Sequence, residues 1–166
     1  MKIALVSMVT LMVVADHASA LDNAARQRAT AFATKAAIAN LFEIEAAKIE
    51  ISRGKAVDAK QYAQDMLKDH GNAGKILTEA AAQDGVDVPN SLDNEHQSKI
   101  EALKVSDAAN TDQAYLSTQV TAHQQAVKLF ETYSKEGPDS QLKRTAMKML
   151  PDLRMHLTRV QALTSP

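Results

Sequence analysis

The sequence contains no cysteine and no tryptophan, and only 4% of its residues are aromatic. Without cysteine the chain can form no disulfide bond, no thiolate metal ligand, no cysteine nucleophile and no lipid attachment. Glycine and proline are also scarce, at five and four residues, and they are confined to a few places. The chain is rich in alanine, lysine, glutamine, glutamate and leucine instead, and this composition favours helices.

Neither sign of charge dominates, because 19 lysines and arginines face 20 aspartates and glutamates and leave a net charge of −1. A nucleic-acid partner would require a basic face, so this balance argues against one. Beyond the first residues, no apolar run approaches the length that spans a membrane. The sequence therefore predicts a domain with no membrane span once its N-terminal region is removed.

The N-terminal region has the pattern of a secretion signal. Lys2 precedes an apolar run over residues 3–15, and Ala18-Ser19-Ala20 supplies the small residues that signal peptidase requires. We expect residues 1–20 to be a cleavable signal peptide and Leu21 to begin a single domain over residues 21–166. Export to the bacterial periplasm follows as the expected location, and an uncleaved N-terminal anchor is the alternative.

The remaining sequence predicts four long helices, over about 22–52, 56–83, 109–135 and 139–163. The connection over residues 86–106 is longer than the other two and contains a predicted short helix over 93–104. We therefore predict an all-α fold, a ferritin-like four-helix bundle with this long connection between its second and third long helices.

Each of the last three long helices carries one histidine in an otherwise apolar seam with helical spacing. A buried imidazole needs a partner, because an unsatisfied buried polar group costs about 1–3 kcal/mol. We therefore expect the three histidines to meet in the core. The seams are Tyr62, Met66, His70, Ala73 and Leu77; Leu116, Val120, His123, Val127 and Phe130; and Leu142, Ala146, Met149, Leu153, His156, Val160 and Leu163.

The first helix continues this pattern with Glu45 between Phe42 and Ile49, whereas Glu43 falls on a different face among alanines. A rise of about 1.5 Å per residue puts Glu45 and the three histidines near one level. Such a cluster suits zinc, iron, copper or manganese. The candidate ligands are Glu45, His70, His123 and His156, with Asp69 and Asp152 as outer partners.

Several kinds of site lack their motifs. No Glu-x-x-His pair is present, which argues against a di-iron centre, and no Cys-x-x-Cys-His motif supports haem. Buried histidines bonded to Glu45, Asp152, Tyr62 or Tyr115 could also fix the helix register without any ligand. The sequence thus favours a noncatalytic envelope or interaction protein with structural histidines, and transition-metal binding is the alternative.

Two residues near the histidines interrupt ordinary helical sequence. Gly74 lies one turn after His70, where the missing side chain either lets another backbone approach or leaves room beside the imidazole. Pro151 removes the helical hydrogen bond to the Met147 carbonyl, so it either kinks the last helix or starts a second helical segment.

Several short motifs follow one another in a characteristic order over about residues 35–163. They are Phe42-Glu43-Ile44-Glu45, Gln64-Asp65-Met66-Leu67-Lys68-Asp69-His70, Val88-Pro89, Asp112-Gln113-Ala114-Tyr115-Leu116, Thr121-Ala122-His123, Leu129-Phe130-Glu131 and Leu150-Pro151-Asp152-Leu153-Arg154-Met155-His156-Leu157. Their order and spacing resemble an exported bacterial family, domain of unknown function 4142. The resemblance implies a ferritin-like fold and no established activity. Three positions depart from the family pattern: Lys68 and Ala122 stand where acidic residues are common, and Thr111 stands where an aromatic residue is common.

Overall fold

The computed structural model describes residues 21–107 and 109–165, and this part of the chain contains five α-helices and no β-strand. The predicted all-helical fold is confirmed, and the predicted helix ends lie close to the observed ones. The predicted signal peptide, residues 1–20, lies outside the described residues. The helices are α1 (Asn23–Arg53), α2 (Val57–Gln83), α3 (Asn94–Lys104), α4 (Thr111–Glu136) and α5 (Gln141–Thr164).

Two aspartates connect helix ends that are far apart in sequence. Asp112 in the first turn of α4 accepts hydrogen bonds from the backbone N–H groups of Lys55 and Ala56, just before α2. Asp84, just after α2, accepts hydrogen bonds from the first two backbone N–H groups of α5. Free N–H groups at a helix start need such acceptors. The two carboxylates therefore fix the ends of α2 against α4 and α5.

The chain turns out of α2 at Gly85, whose φ of +67° lies in the left-handed region that favours glycine. The Arg26 guanidinium donates a hydrogen bond to the Gly85 carbonyl oxygen at 2.6 Å. This bond ties the turn to the start of α1. The turn and the long connection together return the chain to α4.

Each of the four long helices packs mainly against two of the others: α1 against α2 and α4, and α5 against α4 and α2. The short helix α3 lies mainly against α1. The result is a helical bundle. Within residues 21–107 and 109–165, no helix combines the length and apolar character needed to cross a membrane.

The buried apolar side chains form two separate clusters along the bundle. One contains Phe32, Leu77 and Phe130 together with residues of the first half of α5. The other contains Phe42 and Met66 together with Tyr115 and Val160. Burial of apolar area stabilises each cluster by about 25 cal/mol per Å². The stretch between them is the level at which α2, α4 and α5 each carry a histidine.

α5 continues through Pro151 as one helix, Gln141–Thr164, so the alternative that Pro151 starts a second segment is wrong. Pro151 and Met147 are both exposed. The Met147 carbonyl that loses its helical hydrogen bond can therefore bond to water. The kink stays a prediction.

Candidate metal centre

His70 of α2, His123 of α4 and His156 of α5 meet in the interior between the two apolar clusters, and we call these three residues the histidine layer. All three are buried, at 6%, 1% and 4% exposure. Their ring centroids form a nearly equilateral triangle with sides of 5.6, 5.7 and 5.5 Å. One ring nitrogen from each lies within 4.8 Å of the others. The predicted meeting of the three seams is therefore present.

In each ring of the histidine layer one nitrogen faces an oxygen of the protein, and the other nitrogen has no hydrogen-bond partner. An amide oxygen, a carbonyl oxygen and a carboxylate can only accept, so the bonded ring nitrogen carries the proton. The bonded pairs are His70 Nδ1 to Asn40 Oδ1 at 3.0 Å, His123 Nδ1 to the Gln119 carbonyl oxygen at 3.1 Å, and His156 Nε2 to Asp69 Oδ2 at 3.1 Å.

Burial keeps these rings uncharged near neutral pH. It lowers the pKa of His123 to about 4 and that of His70 well below its usual range. The pKa of His156 is lowered as well, because burial outweighs the opposing effect of Asp69. A neutral imidazole protonated on one nitrogen has a lone pair on the other. The unpartnered nitrogens, Nε2 of His70 and of His123 and Nδ1 of His156, therefore carry lone pairs.

The two predicted outer aspartates have different roles. Asp69 holds His156, as described above, although it stands next to His70 in sequence. Asp152 is exposed and lies one turn before His156, but it makes no hydrogen bond to that ring. Tyr62 donates to the backbone carbonyl oxygen of His156 at 3.3 Å and not to an imidazole. The partner of His156 therefore comes from the neighbouring helix.

Gly74 makes room for the amide that positions His70. A Cβ atom at Gly74 would lie 2.7 Å from Nδ2 of Asn40, which is closer than real Cβ contacts. A Cβ atom at Gly71, three residues earlier, would meet nothing within 4 Å. The missing side chain at Gly74 thus lets Asn40 of α1 reach across to the ring of His70.

The placement of Glu45 in the seam facing the histidines is wrong. Its side chain is 45% exposed and pairs with Lys48 at 2.7 Å on the surface. Glu43 faces the interior instead, at 4% exposure, with Oε1 3.8 Å from Nδ1 of His123. The cause is that α1 buries its alanine face, which includes Ala36 and Ala47. Small alanines let a neighbouring helix approach more closely than larger side chains do.

Burial raises the pKa of Glu43 to about 8. At neutral pH this carboxyl is therefore mostly protonated, and it forms no ion pair with the neutral His123. Its Oε2 atom has no hydrogen-bond partner. Glu43 thus places an ionisable acid beside the histidine layer without a fixed charge.

A second buried acid, Glu50, lies two turns further along α1. It is fully buried, and neither of its carboxyl oxygens has a partner in hydrogen-bond geometry. Burial and the neighbouring Asp112 carboxyl raise its pKa to about 8. Gly54 is needed beside it, because a Cβ atom there would overlap the Glu50 carboxyl. We call Glu50 and Asp112 the junction site, since they lie where α1 passes into α2.

Sequence reasoning missed Asn40, Glu43 and Glu50. A partial signal existed, because Ala36, Glu43 and Glu50 are spaced by seven and therefore share one face of α1, but spacing alone does not say which face reaches the histidines. The prediction followed Phe42 and Ile49, which are also buried. Asn40 could not be assigned from α1 alone, because its partner lies on α2.

Comparison with known proteins agrees with this fold. No curated protein matches the chain. The crystal structure of a DUF305 fragment from Deinococcus radiodurans is similar, with a TM-score of 0.71 and 12% sequence identity over 82% of this chain and 94% of that one. At that identity the likeness shows the fold alone. The profile of the domain of unknown function DUF4142 matches residues 14–163. The chain belongs to the DUF4142 family.

Proposed function

We propose that this protein binds one transition-metal ion through His70, His123 and His156. The observation that carries the proposal is the pairing of contacts in the histidine layer. One ring nitrogen from each histidine lies within 4.8 Å of the others, and each ring has one unpartnered nitrogen while its opposite nitrogen is held by an oxygen acceptor. Metal-binding histidines are usually oriented in this way, by a carboxylate or carbonyl on the nitrogen that does not bind the metal.

The distances leave a small adjustment for metal binding. Nitrogen ligands around a tetrahedral ion at 2.0–2.1 Å lie about 3.4 Å apart. The three ring nitrogens lie within 4.8 Å of one another, so a bound ion requires the rings to close by at most about 1.4 Å. Their lowered pKa values also remove competition from protons at neutral pH.

The ligand set selects among the candidate metals. Imidazole suits zinc, copper and iron, whereas manganese prefers carboxylate and water oxygens. Three imidazoles with no carboxylate in the same group therefore favour zinc, copper or iron over manganese. Glu43 supplies the balancing charge, because a bound dication lowers the pKa of a neighbouring carboxyl and ionises it.

A structural role is the second candidate, and a specific observation favours it. The ring hydrogen bonds join different helices, with His70 linked to α1 through Asn40 and His156 linked to α2 through Asp69. Such bonds fix helix register without any ligand. They use only one nitrogen of each ring, however, and leave the other without a protein partner. Metal binding gives those three nitrogens a common role, and a purely structural role does not.

We further propose that the protein is a ferritin-like four-helix bundle that is exported from the cytoplasm. The long helices each packing against two others, together with the DUF305 likeness, support a ferritin-like four-helix bundle. Lys2, the apolar run over residues 3–15 and Ala18-Ser19-Ala20 support export to the bacterial periplasm. An envelope protein that holds a transition metal for storage, sensing or delivery is the function that combines these features.

The direct test is metal binding by untagged protein, since a histidine tag would itself bind metal. We expect about one equivalent of zinc or copper after dialysis, measured by elemental analysis, and a rise in the unfolding temperature when metal is added. His123→Gln should lower the affinity by at least about a hundredfold, because one of three ligands is lost.

His96→Gln is the matched control. His96 lies on α3 and pairs with Asp93 at 2.6 Å, away from the histidine layer. Its replacement should leave both stoichiometry and affinity unchanged. Binding below about 0.1 equivalent in wild-type protein, or equal loss in the His96 and His123 variants, would reject the site and leave the structural role.

A further inference from the structure

A cavity of about 390 Å³ lies beside the histidine layer, bounded by side chains of α1, α2, α4 and α5. All three imidazoles line it. Most of its other walls are apolar, among them Leu77 and Phe130. Protein sites for small molecules have this size and this mixture of apolar walls with a few polar groups. The cavity therefore extends to the rings of the histidine layer, although their unpartnered nitrogens have almost no exposed surface of their own.

In the described part of the chain, no fourth histidine and no aspartate or glutamate joins the three ring nitrogens of this group. Structural zinc sites usually close with four protein ligands, whereas sites with three protein ligands keep one position for water or another molecule. Glu43 approaches His123 from its Nδ1 side, at 3.8 Å, and this nitrogen is not the one that carries the lone pair. One coordination position is thus left for an external ligand.

The charges along the cavity restrict what that ligand can be. Its lining includes the acids Glu43, Asp69 and Asp152 but neither lysine nor arginine. A bound dication would attract an anion, but Glu43 already balances part of that charge, Asp69 and Asp152 add further carboxyl groups, and the lining adds no cation, so a neutral donor is favoured. An uncharged donor avoids repulsion by these carboxyl groups, and an apolar body attached to it gains from burial against the walls.

We infer that the cavity holds an uncharged heteroaromatic nitrogen compound, of the imidazole or pyridine class, whose ring nitrogen completes the coordination of the metal ion. This inference rests on the metal-binding function proposed above. The ring nitrogen supplies the fourth donor, and an apolar substituent lies against the walls of the cavity. A neutral nitrogen ligand should therefore bind more tightly than a small anion.

The test uses untagged full-chain protein loaded with Co²⁺, whose visible absorption reports the coordination sphere. Titration with imidazole, 4-phenylimidazole and azide should change the spectrum in a definite order. We expect 4-phenylimidazole to bind on the order of tenfold more tightly than imidazole, since its phenyl ring is buried, and azide to bind most weakly. Azide binding as tightly as 4-phenylimidazole would overturn the inference, as would equal binding of 4-phenylimidazole to metal-free protein.

A matched pair of variants locates the ligand. Ala73 is half-buried and lines the cavity, whereas Ala82 is exposed on the same helix and does not line it. Ala73→Met should abolish the tenfold preference for 4-phenylimidazole, while Ala82→Met should preserve it, and both variants should bind cobalt. Equal behaviour of the two variants would contradict the assignment to this cavity.

The cobalt experiment distinguishes failure of the ligand inference from failure of the metal-binding function. Cobalt that binds stoichiometrically without any spectral change on ligand addition overturns the inference and leaves the metal site intact. Cobalt that does not bind to wild-type protein overturns the metal-binding function and the inference together.

Discussion

The histidine layer and the junction site both bury ionisable side chains between helices, but their surroundings differ. The histidines line a cavity, and each ring is oriented by an acceptor oxygen. Glu50 does not line that cavity, and its carboxyl oxygens have no partner in hydrogen-bond geometry. Oriented lone pairs beside an open space suit a ligand site. A buried acid without a hydrogen-bond partner instead affects the stability of the fold and the pH dependence of that stability.

The largest effect that we expect is on the pH dependence of stability in the metal-free protein, because both the histidine layer and the junction site contribute to it. The lowered pKa values of the three histidines mean that the unfolded chain takes up protons first below pH 6.5, so the free energy of unfolding falls toward acid. Burial raises the pKa values of Glu43 and Glu50 from 4.5 to about 8. The free energy of unfolding therefore also falls as the pH rises from about 4.5 to about 8.

These opposing changes place the maximum stability near pH 6.5. Below this pH the histidines lower the free energy of unfolding, and above it only the two acids continue to lower it. Above this pH each acid contributes a slope of at most about 1.4 kcal/mol per pH unit. Urea unfolding from pH 4.5 to 9 measures the profile. Stability that keeps increasing between pH 7 and 8 would show that the two acids are not buried as described.

The next effect separates the two glutamates that lie two residues apart on α1. Glu43→Gln should weaken metal binding by about ten- to a hundredfold, because the bound dication loses its balancing carboxylate. Glu45→Gln should leave the affinity unchanged, since Glu45 pairs with Lys48 on the surface. Competition with a coloured chelator gives both values. A larger loss of metal affinity in Glu45→Gln than in Glu43→Gln would show that Glu45 is the acid beside the metal site.

The junction site should respond through stability and not through metal affinity. Glu50→Gln replaces an acid that is charged above about pH 8 by a neutral side chain of similar size. We expect the unfolding temperature to rise by roughly 5 °C at pH 9 and to change little at pH 5, where the native Glu50 is already protonated. A change in metal affinity in this variant would show that the two sites are coupled.

The smallest expected effect tests the contact between Asn40 and His70. Gly74→Ala should displace the Asn40 amide and weaken metal binding by about tenfold, although no ligand is altered. Gly71→Ala is the control, because its new methyl group meets nothing within 4 Å and favours the helix by about 1 kcal/mol. Equal metal affinity in the two variants would remove Asn40 from the site.

Sequence reasoning reached much of the fold because helix periodicity, glycine and charge patterns act over a few neighbouring residues. The seams of α2, α4 and α5 carried enough large apolar residues to reveal the inward positions of their histidines. The same reasoning failed for Glu45 of α1, although Phe42 and Ile49, which flank it in the predicted seam, are buried. The buried surface of α1 also includes many alanines, and Glu43 lies among these. Large apolar residues alone therefore did not fix the rotation of this helix.

The sequence by itself determined that the chain is helical, where its helices begin and end, and that three histidines occupy inward positions, because each of these depends on local backbone preference and spacing. Only the tertiary structure decided that Glu43 and not Glu45 reaches the layer and that Asn40 and Asp69 hold histidines of other helices. The cavity beside the histidine layer is likewise a property of the tertiary structure alone. These outcomes depend on how closely and at what rotation the helices pack, which is set by contacts between residues far apart in the chain.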